Sequence, residues 1–421
     1  MPTWWCPSRA AGLSSGKEVS NTKLAISVFL FFRFPKSKFI DKSQHEKLET
    51  IARYVNEVIR PELLDYVDPV SVTTIDWQQL EAIRTLVNPC RPPSRLVKDI
   101  FYPAALVLPD YSFMSEPGLG PVMALEIKPK LGFLFPKNMV HPHLCNYCLK
   151  QYYKRQIGKV KNTSQYCPLD LYSGDQARMR EAIDALLASP QNNLRIFKDG
   201  KLLHTEETVH NPVSDQFLQS MFGGETILSD VMVQALTVSP TSSTPAAVTA
   251  SVSCSTAARG QPAISVRHCN KSAHQLPQNC ILSSVLGLQK RNILPDTEAQ
   301  IILNSLLSDG WDLASLQSLV TRSGVCMDNV QLTRAQREKL KLLKDYLLSV
   351  TAKDLSIILT MVEDSPSSGD KPGQWLKVRG RLFRFKWSVV DLDPKNLHRI
   401  SKYVEQKHMW LKAFQESKSE L

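Results

Sequence analysis

No stretch of this sequence is long and apolar enough to cross a bilayer. The apolar run from Leu24 to Phe32 is nine residues, flanked by Lys23 and Arg33, against the ~20 a transmembrane helix needs, and it reads as a buried strand. The first twenty residues carry Trp4, Trp5 and Arg9 but lack the continuous apolar segment of a secretory signal. A disulfide framework is missing too: the nine cysteines are odd in number and scattered, as free thiols in a reducing compartment are. No nucleic-acid module is recognisable, no aromatic residues interleave a basic run, and no internal repeat is found. The expectation is a soluble monomer of the cytoplasm or nucleus, with no membrane and no specific nucleic acid among its partners.

What is present is enough for a globular fold. The 421 residues are 43% hydrophobic, which can build one large or two medium cores. The formal charge of +11 favours an anionic partner and leaves nucleic acid, acidic lipid and phosphorylated small molecules open, as it does a basic surface with no ligand.

Along the chain, a strand is expected over Leu24 to Phe34 and a helix over Asp41 to Tyr66, where Leu48, Ile51, Tyr54, Val55, Val58 and Ile59 recur at helical spacing. A second helix, Asp76 to Val87, is broken by Pro89, Pro92 and Pro93. Ala104 to Leu108 and Val122 to Ile127, separated by the Pro/Gly stretch Glu116 to Pro121, read as paired strands of one sheet. Helices follow at Leu144 to Arg155 and Gly174 to Ala188, the latter with Ser173 or Asp175 as a cap. From Leu236 to Val266 the composition falls to Ser, Thr, Ala and Pro, and residues 237–275 are expected to be a disordered insertion. Helical periodicity resumes over Thr297 to Leu319 and Thr333 to Val350. After a loop at Ser365 to Gly373, Leu376 to Leu392 reads as two strands. The fold class is α+β, with a small α/β lobe over residues 26–115 and a larger, helix-rich lobe over 116–421, preceded by an atypical segment of residues 1–25.

The segment Glu126-Ile127-Lys128-Pro129-Lys130 is the first that could carry chemistry. Alternation along a strand would put Glu126, Lys128 and Lys130 on one face, where lysines could hold phosphate oxygens and the carboxylate could orient a lysine or a hydroxyl. A solvated edge strand with three charges explains the same pattern. Further on, His141, His143, Cys145 and Cys148 are competent zinc ligands at cramped spacing, and free thiols beside a helix start explain them equally.

The run Ala124-Leu125-Glu126-Ile127-Lys128-Pro129-Lys130-Leu131-Gly132-Phe133 closely resembles the signature of the inositol-pentakisphosphate 2-kinases. Three more blocks resemble that family in the same order: Tyr166 to Gly174 (Tyr-Cys-Pro-Leu-Asp-Leu-Tyr-Ser-Gly), Pro190 to Phe197 (Pro-Gln-Asn-Asn-Leu-Arg-Ile-Phe) and Thr351 to Ile357 (Thr-Ala-Lys-Asp-Leu-Ser-Ile). Val390-Asp391-Leu392-Asp393 is similar to the family's last strand. The resemblance runs from about Leu30 to Phe414, without the Ser/Thr-rich insertion. It implies a two-lobed, kinase-like layout, with ATP between the lobes and an inositol phosphate held mainly by the larger one. The implied reaction converts inositol 1,3,4,5,6-pentakisphosphate to the hexakisphosphate, with ATP and Mg2+ as cofactors; a catalytically impaired binding or scaffold protein is the alternative.

The resemblance also implies roles. Asp354 matches the carboxylate beside the acceptor 2-hydroxyl, with Lys128 as the catalytic cation, and Asp391, with Asp354, falls at the magnesium site, where hard oxygens suit a hard cation. Lys128, Lys130, Lys154, Asn192, Asn193, Arg195 and Arg95 fall at the inositol-phosphate site; lysines act there as point charges and an arginine can fork. Arg33, Asp110, Tyr111 and Glu126 are placed at the nucleotide. Two departures stand out. The family's glycine-rich lid over ATP has no equivalent, since Gly12 to Glu18 is one residue short of a phosphate loop and ends in Glu18 rather than Ser or Thr. The family's phosphate-binding Tyr-Lys segment aligns with Tyr403-Val404, leaving Lys402 or Lys407 as substitutes.

Overall fold

The computed structural model describes residues 30–35, 43–90, 99–114, 120–136, 144–160, 163–208, 212–222, 225–239, 246–248, 275–323, 331–364 and 374–419. In chain order the elements are β1 (Leu30–Arg33), α1 (Gln44–Tyr54), α2 (Arg60–Leu63), β2 (Ser71–Thr74), α3 (Trp77–Val87), β3 (Ala104–Pro109) and β4 (Met123–Ile127). They continue with α4 (Asn146–Gln156), α5 (Pro168–Leu171), α6 (Gln176–Ala188), β5 (Leu194–Lys198), β6 (Lys201–His204), α7 (Pro212–Phe222), α8 (Glu225–Thr237) and β7 (Ala246–Val248). The rest is α9 (Ile281–Gln289), α10 (Asp296–Ser308), α11 (Leu313–Val320), α12 (Arg334–Ala352), β8 (Ser356–Asp364), β9 (Gln374–Val378), β10 (Arg381–Val390) and α13 (Ile400–Ser419). This is a mixed α+β fold.

Helix starts follow side-chain chemistry. Asp76 and Thr333 each form a reciprocal capping box with a glutamine three residues on, Gln79 and Gln336, which satisfies two orphan N–H groups at once. Asp175 caps α6 by accepting from the Arg178 N–H at 3.0 Å, while Ser173 donates to the Asp170 carbonyl instead. Two expected helices are interrupted. The run Asp41 to Tyr66 becomes α1, a π-helical turn at Val55–Ile59 and α2, with Pro61, which lacks an N–H, opening the last piece. The run Thr297 to Leu319 splits into α10 and α11, because Gly310 turns left-handed at φ 92 and Asp312 starts a new cap.

The strands form two sheets, a three-stranded one in order β1-β3-β2 and a seven-stranded one in order β6-β5-β4-β8-β10-β9-β7. Ala104 to Leu108 and Val122 to Ile127 are therefore not partners: β3 pairs with β1 and β2, and β4 with β5 and β8. Periodicity identifies a strand but not its neighbour, and the intervening Pro/Gly stretch passes the chain from one sheet to the other. All five residues of β4 are buried, as a strand interior to a covered sheet must be. The charged segment after it thus does not belong to a solvated edge strand. Within the low-complexity tract, Ala246–Val248 pairs in parallel with β9, so three of its residues are ordered against the sheet edge; the tract's residues 249–274 lie outside the described residues, as do residues 1–29 and the 365–373 loop.

One large core runs through both sheets, joining Leu48 and Ile59 of the first helical segment and Leu106 of β3 to Leu125, Leu359 and Phe385. A second, smaller core joins Leu303, Leu316, Leu343 and Ile400. Gln289 is fully buried at the end of α9. Its amide oxygen accepts from the Gly132 N–H at 2.8 Å, and its nitrogen donates to the carbonyls of Lys130 and Ala352 at 2.7 and 3.1 Å. One side chain thereby ties the turn after β4 to the end of α12. Gln289→Leu, similar in volume, would leave these backbone groups unpaired; we expect a loss of about 2–3 kcal/mol, read as a lower urea midpoint at unchanged m.

Candidate functional site

Neighbouring antiparallel strands run in opposite directions, so the end of one lies beside the start of the next. Ile127, the last residue of β4, stands opposite Leu194, the first of β5, and Ile357 of β8; Ser356, the first of β8, stands opposite Val390, the last of β10. The residues just beyond these positions, namely Lys128 to Lys130, Asn192 and Asn193, Asp354, and Asp391 to Asp393, are consequently gathered at one end of the large sheet. They converge by strand connectivity and not by alternation along one strand. β4 stops at Ile127, and Lys130 turns left-handed at φ 64.

The deepest group is a buried polar cluster. Lys128 is 4% exposed, Glu126 and Asp391 6%, and Ser356 0%. The Lys128 ammonium donates to Asp391 Oδ2 and, at 2.7 Å, to Ser356 Oγ. Its separation from Glu126 Oε1 is 3.8 Å, beyond a hydrogen bond. Ser356 Oγ lies 2.8 Å from Glu126 Oε1 and 3.2 Å from Asp391 Oδ2. Arg195, opposite Glu126 on β5, donates to Glu126 Oε2 at 3.1 Å. Asp391 adopts φ 66, and its Oδ1 is buried with no hydrogen-bond partner. Burial raises its pKa against the lowering effect of Lys128, with Glu126 adding to the rise.

Nearer solvent, Asp354 receives Lys130 on Oδ1 at 2.9 Å and Lys395 on Oδ2 at 3.4 Å. Although its surroundings desolvate it, these lysines and Lys128 outweigh that cost and hold its carboxyl well below the usual carboxylate range. Lys130 itself is lowered, by burial first, against the pull of Asp354. On α4, Lys154 donates to Gln191 Oε1 at 2.6 Å; burial, then Lys150 and Lys130, bring its pKa down to about 8. Lys150, one helical turn earlier, is lowered by burial and by Lys130. Cations this crowded give this end of the sheet a positive potential.

The remaining expected residues are placed unevenly. Asn192 accepts from Arg195 at 3.4 Å. Asn193 is buried and donates to the Tyr147 hydroxyl at 2.7 Å, while its carbonyl accepts from the Lys128 N–H at 2.8 Å; it shapes the turn. Arg95 lies outside the described residues. Lys407 stands over the Phe135 ring, 5.2 Å from its centroid.

A cleft lies between the sheets, with Leu106 and Leu108 of β3 on one side and Val389 and Asp391 on the other. Tyr111 lines it, its hydroxyl raised by burial and by Asp68. Arg33 and Asp393 also line it and form a two-pronged ion pair across it. Asp110 and Glu126 are not among its lining residues: Asp110 Oδ1 accepts from the Ser112 N–H and hydroxyl at 2.9 and 2.6 Å, and Glu126 is held by Arg195 and Ser356.

Sequence reasoning missed Ser356, Lys150 and Lys395. Lys150 was visible as a lysine one turn before Lys154, and Ser356 and Lys395 each lie two residues from a singled-out aspartate; none had a partner until the strands met. It also missed Cys167. The sulfurs of Cys145, Cys148 and Cys167 lie within 4.8 Å of one another, and hydrogen bonds from Cys148 and Cys167 hold the Cys145 thiol well below its ordinary pKa. Three such thiols can supply three of four tetrahedral zinc ligands; His141 and His143 lie outside the described residues.

The α+β fold thus gathers lysines and aspartates at one end of its large sheet, beside a cleft between two sheets. The profile of the inositol-pentakisphosphate 2-kinase family matches residues 16–409, and the chain belongs to that family. It is similar to the inositol-pentakisphosphate 2-kinase of Arabidopsis thaliana, 28% identical over 398 residues, covering 87% of this chain and 77% of that protein. The Danio rerio enzyme of the same name is 39% identical over 163 residues, covering 36% and 34%, and that of Drosophila melanogaster 45% over 82 residues, covering 19% and 13%. This chain thus spans about a third of the Danio rerio protein in their match.

Two outcomes are expected. Lys154 attracts an anion only while protonated, so binding of a polyphosphate measured by calorimetry should weaken as pH rises through about 8 and stay flatter in Lys154→Arg. Elemental analysis of protein purified without chelator should find about one zinc per chain, lost in Cys148→Ser; metal-free protein would remove the zinc reading.

Proposed function

We propose that this protein transfers the γ-phosphate of ATP to the 2-hydroxyl of inositol 1,3,4,5,6-pentakisphosphate, giving inositol hexakisphosphate. The observation that carries it is the Asp354 carboxylate held between Lys130 and Lys395, beside a buried lysine–aspartate pair and within a ring of lysines. A polyanion binder needs only the cations; a carboxylate set among them has a use where a hydroxyl must be oriented.

The geometry supports the following division of labour. Lys130, Lys154 and Lys395, with Lys150, hold acceptor phosphates, and as those phosphates take up the ammonium groups Asp354 is released toward the acceptor hydroxyl. Its part there is to accept a hydrogen bond from the hydroxyl and orient it, which a loose phosphoryl-transfer transition state tolerates. Lys128 stands behind it as the fixed cation for the migrating phosphoryl group. The inter-sheet cleft suits the nucleotide, with the apolar side chains of β3 against the base; by this reading the three-stranded sheet is the nucleotide-side lobe of a kinase-like pair, the boundary falling near residue 115. Mg2+ fits the residues present: the unpartnered, buried Asp391 Oδ1 is a hard oxygen in want of a cation, whereas both oxygens of Asp354 face lysines. Bound there, the ion would neutralise charge on the triphosphate. By the same reading the protein acts as a monomer in the cytoplasm or nucleus; among the described residues no helix is long and apolar enough to cross a membrane.

The test is to incubate the protein with ATP, Mg2+ and the pentakisphosphate and resolve the products by ion exchange. Hexakisphosphate should form, and Asp354→Asn should slow it about 100-fold or more while still binding the acceptor. Acceptor bound with no product at any pH would leave a non-catalytic inositol-phosphate binder.

A further inference from the structure

Ser356 has no role in the scheme above, yet its hydroxyl touches all three of the buried ionic groups at the sheet end. A hydroxyl carries one proton and two lone pairs. Here it accepts from Lys128 at 2.7 Å and stands nearer Glu126 Oε1, at 2.8 Å, than Asp391 Oδ2, at 3.2 Å. Its proton therefore goes to Glu126. The result is a relay, ammonium to hydroxyl to carboxylate, that fills the 3.8 Å between Lys128 and Glu126.

Without that hydroxyl nothing separates the two. Glu126 Oε1 would lose its donor, and a buried carboxylate oxygen without one is costly; the nearest replacement is the Lys128 ammonium. Lys128 would swing to Glu126 and desert Asp391. Ser356 is fully buried at the first residue of β8, out of contact with bulk solvent.

We infer that Ser356 is the positioning residue that divides Lys128 between two carboxylates, keeping the ammonium on Asp391 and out of a direct ion pair with Glu126. This rests on the kinase reading for its effect on rate, but its effect on Asp391 does not. The hydroxyl sets how much negative charge Asp391 presents to a divalent cation and where the fixed ammonium stands when the phosphoryl group arrives.

Ser356→Ala in the full chain tests it, with Ser356→Thr, which keeps the hydroxyl on a β-branched frame suited to a strand, as the rescue. Two readouts are taken. Mn2+ alone, titrated by electron paramagnetic resonance without nucleotide, should bind Ser356→Ala about threefold or more tighter than the unaltered protein, because Asp391 has lost its cationic partner. Hexakisphosphate formation should fall about tenfold or more in kcat with KM for acceptor and ATP within about twofold, and Ser356→Thr should recover both values. Unchanged Mn2+ affinity in Ser356→Ala overturns the inference whatever the rate does, and so does a kcat equal to that of the unaltered enzyme. If the unaltered protein makes no hexakisphosphate, the kinase reading falls, and the Mn2+ titration still decides the role of Ser356.

Discussion

A lysine ammonium taken out of water needs acceptors for its protons, and the buried Lys128 gives two of its three to Asp391 and Ser356, with Glu126 just beyond hydrogen-bonding reach. The rest of the site is arranged around that requirement. Its three neighbours come from three different chain segments, so the pairing is possible only if β4, β8 and β10 lie side by side in fixed register. Breaking one partner would strand the others, which makes the site and the middle of the sheet a single energetic unit. The outer ring, Lys130, Lys150, Lys154 and Lys395 about Asp354, is partly wet and can exchange partners when an anion arrives.

Part of the backbone strain falls in the same place, at three of the seven left-handed non-glycine residues described. Lys130, Gln191 and Asp391 all adopt left-handed backbone without being glycine, at a cost of about 1–3 kcal/mol each. Lys130 and Asp391 sit three residues and one residue past a strand end, and Gln191 three before the start of β5. The chain turns sharply there as it leaves or enters the sheet, and the turn aims a polar side chain into the cluster or, for Gln191, onto Lys154. Gln289 offsets part of this strain by holding the Lys130 and Gly132 backbone from behind.

Much of the fold was legible in the sequence where the signal is local. The helices read from Asp76, Gly174 and Thr333 and the two strands over Leu376 to Leu392 follow from periodicity, turn and cap residues read along the chain. What stayed hidden was relational. Nothing local says that β3 and β4 part company, or that nine residues from Ser356 form the strand between β4 and β10, since an apolar run names no partner. The site shows the same division. Asp354, Asp391, Lys128 and Lys130 stood in recognisable blocks, whereas Ser356 acquires meaning only across gaps of more than two hundred residues to Glu126 and Lys128, and Lys395 only through Asp354, 41 residues away. Asp110 illustrates the converse, a residue well placed in sequence whose carboxylate is spent on its own turn.

The alternating course of the strands also separates two fates for the two ends of the large sheet. β8 runs from Ser356 to Asp364, and the chain that leaves Asp364 re-enters at Gln374 of β9, a full strand length from the chemistry; β7, with the low-complexity tract, attaches at the outermost edge. Changes of length can accumulate at that far end without moving Ser356, Lys128 or Asp391. A lineage of such proteins would be expected to diverge unevenly, drifting in its outer loops while short segments at the strand ends are held almost fixed.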